Sequence, residues 1–339
     1  MNASAASSTP VLEVRNLTVE YATDEGIVHA VTHVSFRLHP RETLGIVGES
    51  GSGKTATCLA ILGLLRAPVG RVVEGEVLFR GVDLVSLKGR ALRQLRGRDI
   101  AMIFQESASA LNPVATIGRQ VSESVRVHNR SLSKARLRSE AIELLRLVGI
   151  PEPEERYDRY PHEFSGGMRQ RVMIAMAIAN RPAVLIADEP TTALDVTIQA
   201  QIFEVFERVR QGTDAAALLV THDLGLVSQA ADRIIVMYAG RVVEAGDVFA
   251  VFESPRHPYT IGLLDSVPRL RGGNEWLTPI PGQPPSLLRV SPGCPFQPRC
   301  SLSQGRERCL QEVPILREIE ADGHVVACHF AEELDTSSR

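Results

Sequence analysis

Gly48-Glu49-Ser50-Gly51-Ser52-Gly53-Lys54-Thr55 directly follows the apolar run Leu44-Gly45-Ile46-Val47 and directly precedes an apolar, helix-length run that begins at Ala56. The stretch fills the pattern G-x-x-x-x-G-K-[ST] between a strand and a helix, the context in which this pattern cradles a polyphosphate. Glycines are needed because the backbone must wrap closely around phosphate oxygens, partly at φ values closed to other residues, with successive N–H groups pointing inward. The helix that follows adds its positive N-terminal end. In such a loop Lys54 neutralises the β- and γ-phosphates and the Thr55 hydroxyl ligates Mg²⁺. The stretch therefore predicts a nucleotide-binding chain.

Outward from the loop, Val11 to Tyr21 and Ala30 to Leu38 alternate with the period of half-buried strands, joined by the turn-forming Thr23-Asp24-Glu25-Gly26. They predict an antiparallel lead-in. Downstream, Ala56 to Leu65 reads as a buried helix, and Glu76 to Phe79 and Ile100 to Phe104 read as strands. Between Gln105 and Ser165 the pattern turns helical, most plainly at Ser133 to Val148, where Leu137, Ala141, Leu144, Leu145 and Val148 share a face and Gly149 stops the helix. Strand-like runs return at Ala183 to Ala187, Ala215 to Val220 and Arg233 to Met237, separated by helix-length segments. That rhythm belongs to a parallel sheet covered by helices. It ends around Pro255, after which a segment rich in Pro, Gly and Cys reads as a small appended module with little regular structure.

Bulk properties narrow the class. A chain of 339 residues holds one large α/β domain with an appendage, or two modest domains. The formal charge of -3 provides no basic field of the kind that nucleic-acid binding leaves, so generic affinity for nucleic-acid backbones is disfavoured. The longest apolar candidate, around Val172 to Ala187, is interrupted by Asn180, Arg181 and Pro182 and falls short of a bilayer span. Met1 to Pro10 lacks the basic and apolar regions of a secretory signal and reads as a disordered tail on a cytoplasmic protein.

Further motifs decide among nucleotide enzymes. Val184-Leu185-Ile186-Ala187-Asp188-Glu189 is an apolar strand ending in two carboxylates, suited to a metal ligand at Asp188 and a general base at Glu189; the plainer alternative is a buried strand followed by an acidic helix start. Phe164-Ser165-Gly166-Gly167-Met168-Arg169-Gln170-Arg171 stands before an Ala-rich apolar helix, so Ser165 and the two glycine amides form a second anion-binding helix start.

The order phosphate loop, Gln105, Ser165-Gly166-Gly167-Met168, Asp188-Glu189, Ala193-Leu194-Asp195 and His222 resembles the ATP-binding-cassette ATPases over residues 11–252. The resemblance implies an α/β fold: a phosphate-loop nucleotide-binding domain with a parallel-sheet core, an antiparallel β subdomain and a helical insertion at about 106–164. It implies ATP and Mg²⁺ as ligands, with Gly48, Glu49, Ser50, Gly51, Ser52, Gly53, Lys54, Thr55 and Thr57 at the nucleotide. Gln105 would contact Mg²⁺ and the attacking water, Asp188 the metal, and His222 the γ-phosphate. Tyr21 sits where the family stacks an aromatic on adenine; taken alone it is as well read as a strand aromatic filling core space, and His222 as a surface histidine beside Asp223. In the family the Ser-Gly-Gly loop closes over ATP held by a second cassette, which implies a sandwich dimer with Asp195 at its interface. Met168 stands where many cassettes have Gln, past the residues that touch phosphate.

Ser254-Pro255-Arg256-His257-Pro258-Tyr259-Thr260 and Pro292-Gly293-Cys294-Pro295-Phe296-Gln297-Pro298-Arg299-Cys300 resemble the C-terminal extension, residues 253–339 here, of dipeptide and oligopeptide importer ATPases. The stretch Phe104 to Pro113 resembles their glutamine-loop region. The resemblance implies uptake of peptides, or of related solutes such as nickel chelates, through two membrane permeases fed by an extracytoplasmic peptide-binding protein, with an unlike second cassette and a place on the cytoplasmic face of a bacterial cell membrane. No nucleic-acid partner is expected. A soluble cassette acting on nucleic acid or ribosomes is the competing class, and a redox or metal sensor a third. Cys294, Cys300, Cys309 and Cys328 crowd the tail at intervals C-x5-C, C-x8-C and C-x18-C, which match neither common zinc-finger nor ferredoxin spacing. Four thiolates suit Zn²⁺ or an iron–sulfur cluster, and unligated thiols stay open; the family resemblance implies [4Fe-4S]. Cys58 reads as a small buried hydrophobe, and His257, His324 and His329 as surface or turn residues rather than ligands.

Overall fold

The computed structural model describes residues 9–105, 110–190, 196–266, 279–319 and 323–334. Met1 to Ser8 of the expected disordered tail, Glu106 to Ser109 of the glutamine-loop stretch, and Thr191 to Asp195 lie outside them. The chain divides into two compact units, one of residues 1–12, 38–42 and 86–219, the other of residues 13–37, 43–85 and 220–339.

The second unit carries the antiparallel lead-in as β1 (Leu12–Thr23) and β2 (Gly26–Leu38), both longer than the alternation indicated, in a sheet of order β2-β1-β4-β5 with β4 (Gly70–Phe79) and β5 (Val82–Asp83). Its other strands are β3 (Thr43–Val47), β9 (Arg233–Tyr238), β10 (Arg241–Asp247), β11 (Arg317–Glu318) and β12 (Val325–Val326), in the order β11-β12-β10-β9-β3. β3 and β9 pair in parallel, Leu44 opposite Arg233 through Val47 opposite Val236. Every residue of β3 is buried, which is why its sequence from Leu44 to Val47 is continuously apolar rather than alternating. β9 turns back into β10 through Ala239 and Gly240, both at positive φ, and β10 pairs antiparallel with β12 from the tail.

The first unit holds β6 (Ile100–Ile103) and β7 (Val184–Asp188), parallel with Ile100 opposite Val184, and all but the last residue of β8 (Ala216–Val220), in the order β8-β7-β6. Between β6 and β7 lies the expected helical insertion. Helix Ile117–Arg126 buries Ile117, Val121 and Val125, and helix Lys134–Leu147 buries Leu137, Ala141 and Leu145. The second of these starts where Ser133 accepts from the Arg136 N–H and ends before Gly149 at φ 74°, a cap-to-glycine span that the sequence announced.

The tail has little regular structure, as expected: helix Pro258–Asp265, helix Glu307–Gln311 and the two-residue strands β11 and β12. It is not a separate module, however, because it belongs to the same compact unit as the phosphate loop. Two-residue strands have no periodicity to read, so only their pairing to β10 reveals them.

Candidate functional site

The loop after β3 has the geometry its glycines foretold. Gly48, Gly51 and Gly53 stand at φ 152°, 78° and 103°. A Cβ on Gly48 would lie 2.2 Å from the Met237 carbonyl oxygen, and one on Gly53 would lie 2.4 Å from that of Ala30, so no side chain fits at either. Helix Lys54–Ile61 springs from Gly53, so the positive end of its dipole stands at the loop. Lys54 is buried, and its Nζ donates to the carbonyls of Gly48 at 2.7 Å and Glu49 at 2.9 Å, which holds the ammonium at the loop. Among the described residues Ser52 Oγ, which is buried, has no hydrogen-bond partner, as a phosphate-facing hydroxyl would not, so the cradle fits a polyphosphate. Ser50 and Thr55 are exposed. The Thr57 hydroxyl is buried and donates to the Gly53 carbonyl at 3.0 Å, which ties it to its own helix rather than to the loop's concave side.

Glu49 is the most heavily held residue of the loop. Its N–H donates to Tyr259 Oη at 2.8 Å, its carbonyl receives Lys54, and its carboxylate accepts two bonds from Arg299, at 2.7 and 3.0 Å. Tyr21, at the end of β1, is half-buried, its ring packed where a Cβ on Gly70 would lie 2.8 Å from Cε1, and burial raises its hydroxyl pKa. His222 is exposed in the turn after β8. Asp223 beside it is used as the N-cap of helix Leu224–Ala230, accepting from the Gly225 and Leu226 amides at 2.8 and 3.2 Å.

In the first unit, Asp188 is the buried last residue of β7, and Glu189 follows at φ 47°, the left-handed region. A carboxylate residue held there reflects local backbone strain of the kind that functional turns store. Gln105 Nε2 donates to Glu189 Oε2 at 2.8 Å, so the glutamine expected at the water and the glutamate expected as base are brought together across 84 positions of sequence. Ser165 N-caps helix Gly166–Ile178, accepting from the Met168 amide at 3.3 Å, and is exposed, while Gly166 and Gly167 are half-buried. Gly167 is obliged to lack a side chain, since a Cβ would meet Ile198 Cγ2 at 2.8 Å. Asp195 lies outside the described residues.

Burial pushes the Cys294 thiol up to about 12 and that of Cys328 to about 11, with neighbouring cysteines of the same cluster a smaller cause for each. The expected [4Fe-4S] or Zn²⁺ site is not supported. Among the described residues no group of three or more His, Cys, Asp or Glu is placed to hold a metal ion. The tail histidines are in structural use, but His257 and His324 are buried rather than at the surface as expected. Buried His257 accepts from the Tyr259 amide at 3.0 Å, capping helix Pro258–Asp265. Buried His324 bonds to Glu244 at 2.8 Å, and His329 to the Glu312 carbonyl at 2.9 Å. Glu244 also accepts the amides of Arg256 and His257 at 2.5 and 3.0 Å. Sequence reasoning missed Tyr259, Arg299 and Glu244. A signal existed for one of them, since an acidic residue inside a phosphate-binding loop calls for a cation beside it.

Similarity to known proteins agrees with this geometry. Residues 31–192 match the ABC transporter family and residues 243–309 the oligopeptide/dipeptide transporter C-terminal region. The chain is 50% identical over 323 residues, 95% of each chain, to the dipeptide transport ATP-binding protein DppD of Bacillus subtilis. It is likewise 50% identical to the oligopeptide transport ATP-binding protein OppD of Mycobacterium bovis, matching 94% of this chain and 52% of that one. Among solved structures, the ATP-binding cassette MJ0796, described as a dimer in a post-hydrolysis state with ADP and Pi, superposes with a TM-score of 0.63 at 28% identity over 70% of this chain and 98% of its own. No helix among the described residues is long and apolar enough to cross a membrane. Phosphate loop, carboxylate pair, second helix start and tail thus agree with the matches, and the chain belongs to the ABC transporter family of ATP-binding subunits.

Proposed function

We propose that this chain is the ATP-hydrolysing subunit of a membrane importer of dipeptides or oligopeptides, at the cytoplasmic face of the cell membrane, paired with a second, unlike cassette. Its further partners are two permease subunits and, indirectly, an extracytoplasmic peptide-binding protein. Peptide cargo is supported by the tail, whose residues 243–309 follow the oligopeptide/dipeptide pattern, and by relatives named for dipeptide and oligopeptide transport.

Hydrolysis rests on one observation above the others: the Glu189 carboxylate directly follows a buried strand and is oriented by Gln105 at 2.8 Å. A carboxylate aimed in this way takes the proton of an attacking water, while Gln105 orients that water. Lys54 and His222 meet the charge on the γ-phosphate, and the amides of Gly48 to Gly53 line the remaining phosphates. Thr55, Gln105 and Asp188 are the residues for Mg²⁺, which when bound supplies charge neutralisation at the phosphate oxygens. The ring of Tyr21 offers a face to adenine. Ser165, Gly166 and Gly167 form an anion-seeking helix start, suited to closing over nucleotide held by the second cassette, with Asp195 at the seam. No step passes through the tail cysteines. A metal held there remains a reading from family resemblance and from the soft donor set alone.

The decisive variant is Glu189→Gln. ATP binding is retained and turnover falls by about 10²- to 10⁴-fold, the range of a lost general base; equal hydrolysis by the variant rejects the role. For the cargo, the chain co-purified with its integral membrane subunits hydrolyses ATP faster with a peptide-loaded binding protein. Stimulation by nickel chelates and not peptides, or co-sedimentation with ribosomes instead of membrane subunits, defeats the assignment.

A further inference from the structure

Arg299 lies 250 positions from Glu49 in sequence, yet its side chain is only 3% exposed and forks onto both oxygens of the Glu49 carboxylate. The guanidinium also donates to the carbonyls of Pro281 at 2.8 Å and Ile280 at 3.4 Å, and to Tyr238 Oη at 3.4 Å. Around it stand Tyr238, Tyr259 and Phe296, with ring centroids 4.6 to 5.5 Å apart. Tyr259 is wholly buried and takes the Glu49 N–H. Tail residues therefore occupy two of the three polar functions of one loop residue, and Lys54, the phosphate-neutralising cation, occupies the third.

We infer that Arg299 is a positioning residue for ATP binding: it cancels the Glu49 charge and fixes the loop's second residue in the conformation that accepts polyphosphate. The chemistry follows from the placement. A phosphate loop must receive several negative charges, and a carboxylate within it opposes them unless it is neutralised. A bidentate guanidinium does so while specifying orientation, which an ammonium cannot. Burial of the cation makes the pair costly to break from one side, because the survivor is left uncompensated. Arg299 meets the loop through Glu49 and not through the residues assigned to the attacking water or the γ-phosphate, so its removal acts on nucleotide affinity rather than on the chemical step. The tail thereby becomes part of the nucleotide site instead of a passive appendage. The inference rests on the ATPase reading.

The test uses the full chain, with ATP affinity measured calorimetrically and KM and kcat for ATP measured in parallel. Arg299→Met weakens ATP binding by about tenfold, raises KM similarly and leaves kcat nearly unchanged, a tenfold change being the effect of one modest charge interaction. Adding Glu49→Gln removes the orphaned carboxylate and restores affinity in the double variant to within about threefold of the parent. Weakening of less than about threefold in Arg299→Met, or no recovery in the double variant, overturns the inference. If Arg299→Met does not fold, Arg299→Lys decides: it keeps the charge and loses the fork, and parental affinity in that variant overturns the positioning role. A parent chain that binds no ATP defeats the ATPase reading and this inference together, whereas a binding parent with indifferent variants defeats this inference only.

Discussion

His257 makes part of this assembly sensitive to pH. Its imidazole is buried, accepts the Tyr259 amide and hydrogen-bonds the Ala327 backbone, and burial pulls its pKa from the usual 6.5 to about 3. In the folded chain the ring stays neutral through mildly acidic pH, while in the unfolded chain it takes up a proton near its usual value. Stability from this group is therefore complete above pH 6.5 and is lost progressively as pH falls toward 3. Between pH 7 and pH 5 the unfolded state goes from about one-quarter to nearly fully protonated at this ring while the native state stays neutral, a loss of about 2 kcal/mol. The carboxylates whose pKa values are lowered, Glu13, Asp158, Glu163 and Glu332, titrate in the unfolded chain below this window. His257→Asn keeps a cap acceptor and removes the titration. Urea unfolding followed by circular dichroism at pH 7 and pH 5 should show the parent losing about 2 kcal/mol more than His257→Asn over that interval. Equal losses in the two proteins refute the reasoning, since every pH-independent effect of the substitution cancels in this difference.

Other outcomes follow from single contacts. Gly48→Ala, which forces a Cβ to 2.2 Å from the Met237 carbonyl at φ 152°, abolishes ATP binding measured by calorimetry and costs about 1–3 kcal/mol of stability. Gln105→Ala releases Glu189 and lowers kcat by about tenfold or more with little change in ATP affinity, readable in steady-state phosphate release. Tyr259→Phe leaves the Glu49 amide without its acceptor and weakens ATP binding several-fold, with about 1–3 kcal/mol of stability lost in a urea melt. Burial keeps the tail thiols protonated, so iodoacetamide at pH 8, followed by mass spectrometry, labels Cys328 about a hundredfold more slowly than an ordinary cysteine; fast labelling, or iron or zinc found in the same sample, contradicts the neutral-thiol description.

What could be read from the sequence was what local spacing encodes. The strand, loop and helix at Leu44 to Ile61 are contiguous, and their glycines carry the geometry in their identity, so loop and chemistry were read together. The helix Lys134–Leu147 was equally legible because cap, periodic face and terminal glycine sit in one window. Glu189 next to Gln105 was different. Nothing local links residues 84 positions apart, and only the ordered resemblance to the cassette ATPases placed them together.

The tail marks the limit of such reading, and the reason is physical. Its strands are two residues long, so they have no face to repeat, and its thiols and histidines are the residue types that suggest ligands, while here the thiols are buried or half-buried and the histidines serve as caps and hydrogen-bond partners. Arg299 was in view within a stretch valued for its cysteines, yet what gives it a role is an ion pair closed by tertiary packing. A charge whose partner lies 250 residues away leaves no trace in hydrophobic periodicity; it leaves only an anomaly, here an acidic residue in a loop built for anions. Glu49 is that anomaly. Once Arg299 and Tyr259 are seen to hold it, the glutamate in the phosphate loop and the buried arginine in the tail explain each other, and the tail acquires a reason to pack with the residues that receive ATP.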